Sequence, residues 1–79
     1  MPTIFIINGF RFFFYSNENN EPAHVHVKKG NAEGKIWIMP VLEICYFHRF
    51  SKSEEKDIVE ITKSNFELIK ATWNEYFNQ

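Results

Sequence analysis

Two short apolar runs open the chain, Thr3 to Ile7 and Phe10 to Tyr15, with Asn8-Gly9 between them. Asn-Gly accepts positive φ at both central positions of a tight turn, so the runs are predicted to pair as an antiparallel hairpin. Ser16 to Pro22 contains no apolar residue and is rich in side chains that bond their own backbone, which reads as a loop. His24 to Lys29 then alternates polar and apolar, Gly30 to Glu33 reads as a turn, and Gly34 to Met39 as a fourth strand stopped by Pro40. Val41 to Phe47 is predicted as a short helical turn. Ser51 followed by Glu54 is a capping box, and Glu54, Glu55 and Asp57 put negative charge at the positive end of a helix dipole, so a helix starts at about Lys52. Ile58, Ile61, Asn65, Leu68, Ile69, Thr72, Trp73 and Tyr76 keep a period near 3.6. Ser64 and Glu67 form a second capping pair, so this is either one long helix or two pieces bent near Ser64. The expected fold is α+β: a four-stranded antiparallel β-meander packed on a C-terminal helix, with a short helical turn between.

Alternation on the strands sorts their side chains onto two faces. Val25 and Val27, with Ile36 and Ile38, belong to the face expected to pack on the helix. Placing Phe10, Phe12 and Phe14 with them leaves Arg11, Phe13, Tyr15, His24, His26, Lys28, Glu33, Lys35 and Trp37 on the other face. That assignment rests on register, since a slip of one residue reverses every side chain.

The chain has 79 residues, 44% apolar and 18% aromatic, which suits one domain with a small, ring-rich core. Cys45 is the sole cysteine, so no internal disulfide is possible, and packing is its expected role. The Met-Pro-Thr-Ile start has no basic n-region and no long apolar run follows. Secretion and membrane insertion are therefore not expected, and a cytoplasmic protein is. Nine Lys and Arg against ten Asp and Glu give a net charge of -1, so a polyanion must be met by a local patch. Residues 1–50 carry five Lys/Arg and four acids, whereas residues 51–79 carry four and six. The sheet is thus the more basic part. No Gly-rich phosphate loop, Cys-x-x-Cys pair or Ser nucleophile elbow is present.

His24-Val25-His26 is the sharpest local feature, because two His at i and i+2 on a strand project the same way. Several readings of it are open. Two imidazoles can begin a divalent-metal site, with Glu18, Glu33 or His48 as a further ligand. Without metal they can act as acid and base in RNA cleavage, with Lys28 or Arg11 stabilising the developing charge. Arg, Lys and aromatic rings together also suit single-stranded RNA, the rings stacking on bases and the cations holding phosphates. Or they are structural histidines on the solvated side of a sheet. Arg49 either contributes to a phosphate site or braces its loop. Trp73, Tyr76 and Phe77, at helical spacing, suit core or subunit contact.

Met1-Pro2-Thr3-Ile4, Gly9-Phe10-Arg11-Phe12-Phe13-Phe14-Tyr15-Ser16-Asn17-Glu18, Pro22-x-His24-Val25-His26-Val27, Pro40-Val41, Phe50-Ser51 and Trp73-x-Glu75-Tyr76-Phe77 together resemble a family of small prokaryotic proteins. It is the domain-of-unknown-function family 4160, and the resemblance spans essentially the whole chain. The chain departs from it at Ala23 and in the Asn-rich loop, where a more Pro-rich stretch is expected. The resemblance implies a component of a two-gene, toxin–antitoxin-like module partnered by a small protein from a neighbouring gene, and no established reaction. It directs attention to Arg11, Tyr15, Ser16, Asn17, Glu18, His24, His26 and Lys28. With Lys35 and Trp37 from the face assignment, these are the candidate site residues. The leading expectation is a protein that binds or cleaves RNA through this sheet face. A non-catalytic protein that neutralises or regulates its partner, assembling through an exposed sheet edge or the aromatic C-terminal helix, is the alternative, and a metal-binding protein centred on His24 and His26 is a second. The oligomeric state is open, with a homodimer among the options.

Overall fold

The computed structural model describes residues 3–16 and 20–77. Five strands, β1 (Thr3–Ile7), β2 (Phe10–Phe13), β3 (His24–Lys29), β4 (Ala32–Trp37) and β5 (Glu43–His48), are followed by α1 (Lys52–Ser64) and α2 (Phe66–Phe77). The strands form one antiparallel sheet in chain order, β1-β2-β3-β4-β5. The α+β meander is as expected, with one strand more than the pattern predicted.

Asn8 and Gly9 both take positive φ, 54° and 82°, and set Ile7 opposite Phe10 in the first hairpin. Gly30, at φ 59°, allows a two-residue turn that pairs Lys29 with Ala32, so β4 begins before Gly34. Beyond Trp37 the chain stays tied to the start of β3, since Ile38 N–H donates to the Ala23 carbonyl at 2.8 Å.

Val41 to Phe47 does not form a helical turn: Glu43 to His48 pair with β4 as an edge strand. The difference has a local cause. Ile36 lies opposite Ile44 and Lys35 opposite Tyr46, so Cys45 is the extra residue of a β-bulge. The bulge spaces the two inward apolar residues, Ile44 and Phe47, by three positions. Three is a helical interval, and it hides the period of two. Gly34 lies opposite Phe47, and the ring crosses directly over it; a methyl group there would meet Phe47 Cδ1 at 2.7 Å and the Tyr46 carbonyl oxygen at 3.0 Å.

The helical stretch is two pieces. Asn65 leaves helical geometry (φ −117°, ψ 19°), and both its backbone N–H and its Nδ2 donate to the Ile61 carbonyl. Since Ile69 N–H donates to Asn65 O, α2 starts from the residue that closes α1. The core on this side gathers Phe10, Phe12 and Phe14 with Val25, Val27, Ile36 and Ile38 from the sheet and Ile58, Ile61, Ile69 and Trp73 from the helices. Trp73 meets Phe14 edge-on at 5.2 Å and Phe77 at 4.2 Å.

The start of α1 carries the capping box in both directions. Glu54 N–H donates to Ser51 Oγ (3.1 Å), and Ser51 N–H donates to Glu54 Oε1 (2.9 Å). The Ser51 backbone N–H, then its hydroxyl and the nearby Lys29 ammonium, hold the Glu54 carboxyl below its ordinary range despite some desolvation.

Two outcomes are expected from urea unfolding. Gly34→Ala lowers stability by about 1–3 kcal/mol, because the added methyl displaces Phe47 or the β5 backbone; an unchanged midpoint contradicts that packing. Ser51→Ala costs about 1 kcal/mol. Glu54's folded pKa lies below its unfolded one, so its stabilisation is complete above the unfolded value and is lost as the pH falls through the folded value. Glu54→Gln removes that part of the pH dependence.

Candidate functional site

The register turns the face away from the helices into rows. Across β2, β3, β4 and β5 the first row is Arg11, Lys28, Glu33 and His48. The second is Phe13, His26, Lys35 and Tyr46. The third is His24, Trp37 and Glu43. Tyr15, just past β2, joins the second row with its ring 4.7 Å from that of His26. Arg11, Tyr15, His24, His26, Lys28, Lys35 and Trp37 therefore share one face, as alternation predicted. Ser16 is exposed on the connection beyond β2, and Asn17 and Glu18 lie outside the described residues.

The face is not the open surface that alternation suggests. His24 is 0% exposed, Phe13 1% and His26 6%. Tyr15, Glu21 and Pro22, from the described part of the β2–β3 connection, lie against them. His24 Nδ1 donates to the Pro22 carbonyl at 2.9 Å, and Lys35 Nζ donates to Glu21 Oε1 at 2.8 Å. Trp73 of α2 approaches the His24 ring to 4.9 Å, and Trp37 meets it from the sheet at 5.4 Å. His26 stacks on Phe13 at 5.6 Å and meets His24 edge-on at 5.2 Å. The result is a second, smaller aromatic core on the outer face. Two cations complete the cover: Arg11 lies 4.7 Å from the Phe13 ring centre and Lys35 4.4 Å from that of Trp37. Such cation–π contacts occupy the ring faces that a base would stack on.

This geometry orders the chemistry. In the neutral His24 ring, donation from Nδ1 leaves the lone pair on Nε2. An acid–base pair must come within hydrogen-bond reach of the proton it moves, and His24 lies beneath Pro22 and between two Trp rings. Of the further metal ligands considered, Glu33 and His48 sit one row beyond His26 and two beyond His24, and Glu18 is outside the described residues. Among the described residues no three His, Cys, Asp or Glu are grouped to hold a metal ion.

The first row stays open to solvent. Lys28 and His48 are exposed, and Arg11 and Glu33 are half-buried. Arg11 and Lys28 are directly opposed, an arrangement that costs stability on a sheet. Arg11 Nε donates to Thr3 Oγ1, and no carboxylate among the described residues pairs with either cation.

Residues 9–74 match the family described as a domain of unknown function, DUF4160. The chain belongs to the DUF4160 family. The match runs from the β1–β2 turn through most of α2 and so includes every row of the outer face. No curated protein and no solved structure matches this DUF4160 chain. No helix among its described residues is long and apolar enough to cross a membrane.

Two members of the DUF4160 face, Tyr46 and Glu21, escape a reading by residue pattern, and His48 enters that reading only as a metal-ligand candidate. Tyr46 and His48 reach it only because β5 is a strand, and Glu21 reaches it through the fold of the connection. Tyr46 hydroxyl donates to Glu33 Oε2 at 3.3 Å, and partial burial followed by the Glu33 charge raises its pKa. Arg49, at φ 71°, donates from Nε to His48 Nε2 at 3.3 Å. That left-handed residue turns the chain out of β5 and braces its end.

Substitution separates the two layers of the face. His24→Ala should lower unfolding free energy by about 2–4 kcal/mol, because it empties a buried site and strands the Pro22 carbonyl. Lys28→Ala should stay within about 0.5 kcal/mol of the parent. Equal effects of the two on urea unfolding would contradict the buried position of His24.

Proposed function

We propose that this DUF4160 protein is a cytoplasmic component of a two-gene, toxin–antitoxin-like module and that it binds RNA through the open row of its outer sheet face. The opposed Arg11 and Lys28 carry this reading. Two cations held side by side, with no carboxylate among the described residues within ion-pair distance although Glu33 stands across from Lys28, favour an anionic ligand, and a phosphodiester backbone supplies one. His48 continues the row, and Tyr46, 41% exposed, offers a ring beside it. The burial of His24 and His26 favours binding over cleavage, with the histidines supporting the face from below. Balanced overall charge makes the binding weak without the partner, since phosphate neutralisation needs several cations.

A second reading, a non-catalytic partner of the neighbouring gene product, is favoured by one observation. Lys35 is engaged with Glu21 and Trp37, so fewer cations are available to RNA than the face contains.

Fluorescence anisotropy with an oligouridylate RNA over a salt series tests the proposal. The Arg11→Ala, Lys28→Ala double variant should bind about tenfold more weakly or worse, and its log K against log salt slope should be shallower by about 1.4, two phosphate contacts at 0.7 each. Unchanged affinity and slope would overturn RNA binding at this row and leave the interaction reading.

A further inference from the structure

The outer edge of β5 has no neighbouring strand among the described residues, and Ile44 on it is 44% exposed. We propose that two copies of this chain pair through β5, antiparallel about a two-fold axis, joining two five-stranded sheets into one. The observation behind this is the order of faces along the strand. Glu43, Tyr46 and His48 lie opposite Trp37, Lys35 and Glu33 and so share the outer face, while Ile44 and Phe47 lie opposite Ile36 and Gly34 and share the helix face. With Cys45 as the extra residue at the centre, the order of faces is the same read in either direction. A two-fold register centred between Cys45 and Tyr46 therefore matches outer with outer and inner with inner.

A strand without the bulge alternates strictly, and this register would then set each outward side chain against an inward one. Bulges on edge strands usually discourage pairing. A regular strand matches faces about a two-fold centred on a residue; the extra residue here moves that centre to between Cys45 and Tyr46 and so fixes the register. In this register Glu43 faces the second copy's His48 across the outer face, an acid against an imidazole. Ile44 faces the second copy's Phe47 on the helix face, apolar against apolar. Those two residues and Val59 of α1, among charged residues of the same helix, line a groove of about 390 Å³. The two-fold axis sets the second copy's groove beside it. That complementarity in both charge and apolar contact selects a second copy as the occupant over an unrelated strand. The proposal does not depend on RNA binding, whose carrying cations Arg11 and Lys28 lie on β2 and β3, although Tyr46 and His48 belong to both surfaces.

Cys45 is the chain's sole cysteine, is exposed, and sits beside the proposed axis, so it reports on this interface directly. Sedimentation velocity through the micromolar to millimolar range is combined with a short bis-maleimide, which alkylates two thiols without any redox step. The expected result is a species of twice the 9.5 kDa chain mass that the reagent links through Cys45. Cys45→Ser should keep the dimer and lose the link. Ile44→Lys, folded by circular dichroism, should weaken association by about tenfold or more, because it places a charge on the pairing edge. If that variant does not fold, the cross-link decides. A monomer at every concentration would overturn the proposal and assign the edge to a strand of another protein. A dimer that Cys45 does not link, or that Ile44→Lys leaves intact, would overturn it in favour of a different interface.

Discussion

Glu21 and Pro22, at the end of the β2–β3 connection, are held against the sheet by two polar contacts, His24 Nδ1 to the Pro22 carbonyl and Lys35 to Glu21, and the character of the outer face depends on them. An antiparallel sheet with helices on one side normally leaves its other side to water. Here Tyr15, Glu21 and Pro22, with Trp73 reaching the end of β3, close a second apolar layer over Phe13, His24 and His26. A short chain gains buried area in this way on both faces of the sheet, and aromatic rings supply it efficiently. The Pro22 contact matters because a buried imidazole N–H costs stability unless it finds an acceptor. The arrangement has a functional consequence: the face divides into a covered aromatic layer near the β2–β3 connection and an open charged row at the opposite end.

Much of the fold was legible in the chain, for reasons that are local. Asn8-Gly9 has the backbone freedom that a two-residue hairpin needs, and it set the first register. The Val25/Val27 and Ile36/Ile38 parity was clean, so both faces of β3 and β4 were assigned correctly. The Ser51–Glu54 capping box marked the start of α1 to the residue. What was hidden was β5, where an extra residue at Cys45 turned an interval of two into an interval of three. The break at Asn65 was visible only as a choice near Ser64, because Asn65 satisfies the Ile61 carbonyl in a way that leaves the apolar period nearly intact.

The candidate site was legible as a set of residues but not in its accessibility. Period-two alternation placed Arg11, His24, His26, Lys28, Lys35 and Trp37 on one face. Alternation carries no information about what lies above that face. His24 and His26, the most conspicuous pair by spacing, are beneath the surface, while Arg11 and Lys28, unremarkable by spacing, are opposed, Lys28 exposed and Arg11 half-buried. Glu21 and Pro22, which contribute to the cover, end a polar stretch that reads as an ordinary loop, and their contacts are tertiary. Residue types in that segment suggest a turn, and nothing in them points to Lys35, fourteen positions away.

The division of the outer face into a buried histidine layer and an open row is tested most directly by reacting the native protein with diethylpyrocarbonate and locating the modified imidazoles by mass spectrometry. His48 serves as the internal standard, being exposed on the same face. The account predicts that His48 is modified readily and that His24 and His26 are modified only when the protein is unfolded. Modification of His24 at a rate comparable to His48 in the folded protein would contradict it, and would return the His24–His26 pair to the surface as a candidate reactive site.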